Sequence, residues 1–183
     1  MKMVKIILTS LILITLSSYA HAYDYDPLLM RAQASIFPKI ILLDKELDRK
    51  VASGQVVITI LHSSEEEGVA LQIKGLIEDQ YKNNLGKQTL IVNIADFEQF
   101  DESHVATAYF LLKGTEVLRN KVTAYAAKQK RLAFSYDYKD FESNALVSVL
   151  VKEKTYIYLN KAAIHDYDIK FLPLFYKIVK VIE

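Results

Sequence analysis

The chain has 183 residues, of which 51% are hydrophobic, with 23 basic against 22 acidic side chains and no cysteine. Near-neutral charge provides no global field to recruit nucleic acid. The lack of thiols excludes disulfides, thiolate metal sites, thiol nucleophiles and redox pairs.

The first residues follow the order of a cleavable leader: basic Lys2 and Lys5, an apolar run from Ile6 to Leu16, then small residues ending at Ala20-His21-Ala22. The run is interrupted by Thr9, Ser10 and Thr15 and is shorter than the roughly 20 apolar residues a spanning helix requires. Cleavage after Ala22 is expected, with no membrane insertion afterwards. Residues 23–183 then form one domain that works outside the cytoplasm, and loss of Lys2 and Lys5 leaves 21 basic against 22 acidic residues.

After the leader, Asp26 and Pro27 suit the N-cap and first position of a helix carrying Leu29, Ala32, Ile36, Ile40 and Leu43. Pro38 should kink or divide that helix near Phe37. The apolar, β-branched run 56–61 reads as a strand buried on both faces. Beyond it, Ser63 with Glu66, or Ser64 with Glu67, can form a capping box opening a helix that buries Val69, Ile73, Leu76 and Ile77, with Gly86 near its end. Strands over 89–94 and 105–112, a helix from Gly114-Thr115-Glu116 with Leu118, Val122 and Tyr125 inward, and a strand over 132–135 continue the alternation. Runs 146–151 and 155–159, separated by Lys152-Glu153-Lys154, predict an antiparallel hairpin at one sheet edge. Phe171, Leu172, Phe175, Ile178, Val179 and Ile182 predict a closing amphipathic helix with Pro173 in its first turn. The pattern defines an α/β domain: a three-layer, Rossmann-like, mostly parallel sheet with helices on both faces, a C-terminal antiparallel hairpin and a final helix.

In such a sheet, ligands bind beyond the carboxyl ends of the strands. The turn His62-Ser63-Ser64-Glu65-Glu66-Glu67 lacks the glycines of a phosphate loop and sets three carboxylates where an anion would sit, and the turn after 105–112 has only Gly114. No two of His62, His104 and His165 share helical metal-ligand spacing, and no nucleophile elbow exists. No catalytic, cofactor-binding or metal-binding residue is therefore assigned, and no cofactor is expected. The stretch from Tyr136 to Asn144 carries Tyr136, Tyr138 and Phe141 among charged residues, the composition of a protein-recognition surface.

The C-terminal run Tyr156-Ile157-Tyr158-Leu159-Asn160-Lys161-Ala162-Ala163, followed by the apolar stretch around Leu172, Leu174 and Ile178, resembles the ending of the YfiR (YfiR-like) family. In that family a strand leads into an Asn-x-Ala-Ala segment and a last leucine-rich helix. The leader and the Phe37-Pro38 pair, where the family commonly has Trp-Pro, agree in outline. The departures are the absence of cysteine, where some members carry disulfides, and Ser143-Asn144-Ala145 in place of a Gly-rich approach to the hairpin. The resemblance implies a non-enzymatic periplasmic regulator that binds and represses an inner-membrane diguanylate cyclase or similar sensor protein, such as a sensor kinase. A homodimer is left open. Composition alone offers a small-ligand-binding periplasmic domain resembling one lobe of a solute-binding protein, and a third reading is a hydrolase centred on His62.

Overall fold

The computed structural model describes residues 25–51 and 53–182, and the expected leader, residues 1–22, lies outside them. Helix α1, Pro27–Ile41, begins as expected: the Asp26 carboxylate accepts from the amides of Leu28 at 2.8 Å and Leu29 at 3.4 Å. It is not divided at Phe37 but continues through Pro38 to Ile41. A mid-helix proline costs about 3 kcal/mol, and here Phe37, Ile40 and Ile41 on the same turns are at most 1% exposed. Their burial offsets that cost.

Strand β1, Gln55–His62, is the axis of the sheet. It runs parallel to β3, Gln88–Asp96, in register from Gln55 opposite Thr89 to His62 opposite Asp96, and on its other side parallel to β4, Ala108–Leu111. The series continues in parallel through β5, Leu132–Ser135, to β6, Val147–Val151. Strand β7, Thr155–Asn160, returns antiparallel to β6, as expected for the hairpin. With β2, Asn84–Leu85, and β8, Val179–Ile182, the order is β2-β3-β1-β4-β5-β6-β7-β8.

The crossover through α3, Glu67–Tyr81, leads from β1 to β3, whereas that through α4, Glu116–Lys128, leads the opposite way from β4 to β5. Right-handed crossovers in opposite directions place their helices on opposite faces. Accordingly α1 packs with α3, and α4 with α5, Lys161–Tyr167. The order reverses between β1 and β4, so the crevice beyond their carboxyl ends is the topological switch point. Behind it, Phe37 stacks on Phe134 with centroids 4.4 Å apart and meets Phe110 edge-on at 4.8 Å, joining α1 to the middle of the sheet.

Several expected elements differ. No capping box forms at the start of α3; a 3-10 turn, Ser64–Glu66, opens it, because Ser64 Oγ donates instead to Asp96 Oδ2 at 2.6 Å and Glu66 accepts from the Tyr25 phenol. Gly86 lies in the β2–β3 turn at φ +63°, while α3 ends at Tyr81 before a left-handed Lys82. Strand β4 is shorter than the 105–112 run. The last helix, α6, Pro173–Ile178, stops after six residues, and the β-branched Val179, Val181 and Ile182 belong to β8, which pairs parallel to β7. The hairpin is therefore not at the edge; β8 is.

Helix α5 was not anticipated. Asn160 caps it, its Oδ1 accepting from the amides of Ala162 and Ala163 at 3.1 and 3.3 Å while its Nδ2 donates to the carbonyls of Phe141 and Ala145, both at 3.1 Å. The Asn-x-Ala-Ala segment thus has a physical role: one side chain 4% exposed starts a helix and ties the end of β7 to the turn before β6.

The two sheet edges differ. Beyond the two-residue β2, the edge of β3 is guarded by Lys74 of α3, whose Nζ donates to the Val92 carbonyl at 2.8 Å, a placement that discourages strand addition. At the other edge, β8 is bordered on one side only, by β7.

Candidate functional site

Two regions are candidate sites. The first is the carboxyl end of β1 and β3, where His62, Ser64, Glu67, Asp96 and Gln99 line a cleft of about 380 Å³. His62 is 5% exposed and its Nδ1 lies 2.8 Å from the Ser63 carbonyl oxygen. A carbonyl only accepts, so Nδ1 carries a proton. Asp96 accepts from Ser64 Oγ at 2.6 Å and from the Glu98 amide at 2.8 Å, bonds that hold its carboxyl below the usual range. The Ser64 hydroxyl therefore donates to a carboxylate, not to a histidine. His104 is elsewhere, with Nδ1 3.0 Å from Asp101, and His165 is on α5. Among the described residues no three histidine or acidic side chains are placed to hold a metal ion. Gly114, after β4, serves packing: a Cβ there would come within 3.0 Å of the Phe97 ring.

The second region contains the aromatic residues singled out in the sequence, and the structure separates them. Tyr136 is 4% exposed: its ring tilts against Tyr25 at 4.6 Å and its hydroxyl accepts from the Asp26 amide at 2.8 Å. It fastens the start of α1 and is no part of an open contact surface, which corrects that expectation. Tyr138 and Phe141 are half-buried in a 3-10 turn, Tyr138–Ser143. Arg119 of α4 holds the turn, with Nη2 3.3 Å from Asp140 Oδ1 and Nε donating to Ser143 Oγ at 3.4 Å. Burial pushes the Asp140 carboxyl upward, and the guanidinium opposes that rise.

From this turn an aromatic stripe extends over β7. Tyr138 packs on Tyr158 at 5.3 Å, Tyr158 lies 6.3 Å from Tyr156, and Lys180 Nζ of β8 sits 3.7 Å from the Tyr156 ring centroid. Beside it, Tyr138, Phe141, Asn160, Ala162 and Ile182 line a cavity of about 360 Å³. On the opposite face of the same strand pair, Val181 of β8, opposite Leu159, is 55% exposed, and Leu174 and Ile178 of α6 are 57% and 46% exposed. Sequence reading missed Tyr156 and Tyr158 as site residues although their period-two spacing puts both on one strand face. Lys180 carried no such signal, since 179–182 read as helix.

No known family model matches the chain, and no curated protein matches its sequence. Among solved structures, a conserved domain protein from Vibrio cholerae O1 biovar El Tor aligns with a TM-score of 0.57 at 11% identity, over 87% of this chain and 61% of that one. The ABC domain in complex with L-Trp from Streptococcus pneumoniae aligns with a TM-score of 0.49 at 12% identity, over 78% of this chain and 60% of that one. The chain thus spans about three-fifths of the length of each of these neighbours. The first supports the mixed α/β architecture and, at this identity, nothing finer.

Proposed function

We propose that this protein is a non-enzymatic periplasmic regulator that binds, and holds down the output of, an inner-membrane diguanylate cyclase or a similar sensor protein. The observation that carries the reading is the Tyr138–Tyr158–Tyr156–Lys180 stripe along the outer strands. Tyrosines fixed on a strand offer large contact area with little rotamer entropy to lose. The resemblance of the C-terminal run to the YfiR family supplies the class of partner.

A Tyr156→Ala, Tyr158→Ala double variant should lose at least about tenfold in capture of its membrane partner, the typical cost of truncating two anchor residues, while the domain stays folded. Co-purification from membranes, with the captured protein identified by mass spectrometry, checks this. Undiminished capture, or a captured protein lacking a cyclase or kinase output domain, counts against the reading. A second reading, a small-ligand-binding domain, draws support from the His62–Asp96 cleft, and a ligand-dependent rise in melting temperature abolished by Asp96→Asn is its test.

A further inference from the structure

The switch-point crevice, the usual ligand position in a doubly wound sheet, is filled by the chain itself. Tyr25 precedes α1 and reaches across the carboxyl ends of β1, β4 and β5. Its hydroxyl donates to Glu66 Oε1 at 2.6 Å and accepts from the Lys113 amide at 3.0 Å. Its ring lies 4.6 Å from that of Tyr136, and Lys113 Nζ sits 5.0 Å from the Tyr25 centroid and 5.5 Å from the Tyr136 centroid. Each polar contact on this phenol comes from a strand-end turn: Glu66 after β1, Lys113 after β4. The aromatic wall, Tyr136, follows β5.

Glu66 is 4% exposed, yet its Oε2 has no hydrogen-bond partner among the described residues. An unpaired oxygen on a buried carboxylate is costly, and it leaves an acceptor in the crevice that Tyr25 does not use. Tyr25 satisfies the ring wall, one carboxylate oxygen and the backbone donor, but not the second oxygen. That is how a resident stand-in for a better-matched ligand is expected to sit.

We propose that the crevice formed by Glu66, Lys113 and Tyr136 is a binding site for a phenol-bearing ligand, and that Tyr25 is its resident internal occupant, displaced when such a ligand binds. The ligand stacks its ring on Tyr136 beneath the Lys113 ammonium and donates its hydroxyl to Glu66. Displacement also breaks the bond from the Asp26 amide to Tyr136 Oη, 2.8 Å, so ligand entry frees the segment leading into α1. A tethered residue competes at millimolar effective concentration, so free ligand must reach that range or bind more contacts than Tyr25 makes.

The test uses p-cresol as the probe. Tyr25→Gly removes the resident ring while leaving Asp26 and Pro27 to start α1, and it should bind p-cresol at least about tenfold more tightly than toluene, because a site built to pair a hydroxyl rejects the analogue lacking it. In the intact protein, p-cresol raised to about 10 mM, the order of the tethered concentration, should speed solvent exchange of the Asp26 amide several-fold while the Lys113 amide stays protected. The acetylated, amidated tripeptide Tyr-Asp-Pro distinguishes sources: tighter binding than p-cresol assigns the site to a tyrosyl segment of a partner, equal binding to a small hydroxyaryl molecule. Equal affinity of the Gly variant for p-cresol and toluene overturns the ligand class. Binding to the variant with Asp26 exchange unmoved in the intact protein makes Tyr25 a fixed structural plug and overturns the proposal.

Discussion

Phe37→Ala should lower the unfolding free energy by about 3–5 kcal/mol, the range for removing a fully buried phenylalanine. The ring is 1% exposed, stacked on Phe134 and edge-on to Phe110, so its loss opens a cavity between α1 and the two central strands β4 and β5. For a domain of this size the melting temperature should fall on the order of 10 °C. Chemical denaturation checks it: the midpoint should drop with the m-value unchanged. A cost below about 1 kcal/mol would mean that α1, despite continuing through Pro38, is not held to the sheet by this contact.

A comparable loss is expected at the buried ion pair between Lys50 and Asp44, whose side chains are 7% and 2% exposed. Asp44 also accepts from the Glu46 amide at 2.9 Å, and its backbone bridges to Phe171. The pair thus fixes the turn between α1 and α2, Leu47–Lys50, against the C-terminal segment. Lys50→Met strands a buried carboxylate and should cost about 3–5 kcal/mol, whereas pairing it with Asp44→Leu should recover much of that loss, since a buried ion pair is often replaceable by apolar groups. A single substitution costing no more than an exposed pair, about 1 kcal/mol or less, would show that water reaches the pair.

The central strand was legible because buried parallel strands are short, continuous and β-branched, as residues 56–61 are; residues 132–135, Leu-Ala-Phe-Ser, have no β-branched side chain and follow from the alternation of strands and helices. The start of α1 was legible from Asp26 and Pro27, where local hydrogen bonding decides the outcome. What failed depended on distant partners. Ser64 and Glu66 have the spacing of caps, but Asp96 and Tyr25, far along the chain, compete for them. Residues 179–182 fit a helical period as well as a strand, and the free edge of β7 decided between them. The same held at the site. Tyr136 is an aromatic in a loop by sequence, but Tyr25 and the start of α1 cover it, while Tyr156 and Tyr158 read only as one arm of an edge hairpin, and the partner that extends them into a stripe, Tyr138, comes from a separate loop.

The proposed regulation is tested most directly by the cellular cyclic-di-GMP level in a strain lacking this protein. Deletion should raise the level, the wild-type chain should bring it back down, and the Tyr156→Ala, Tyr158→Ala variant, exported and folded, should not. An unchanged level on deletion would contradict repression of a diguanylate cyclase. Full restoration by the double variant would contradict the assignment of that repression to the aromatic face of β7.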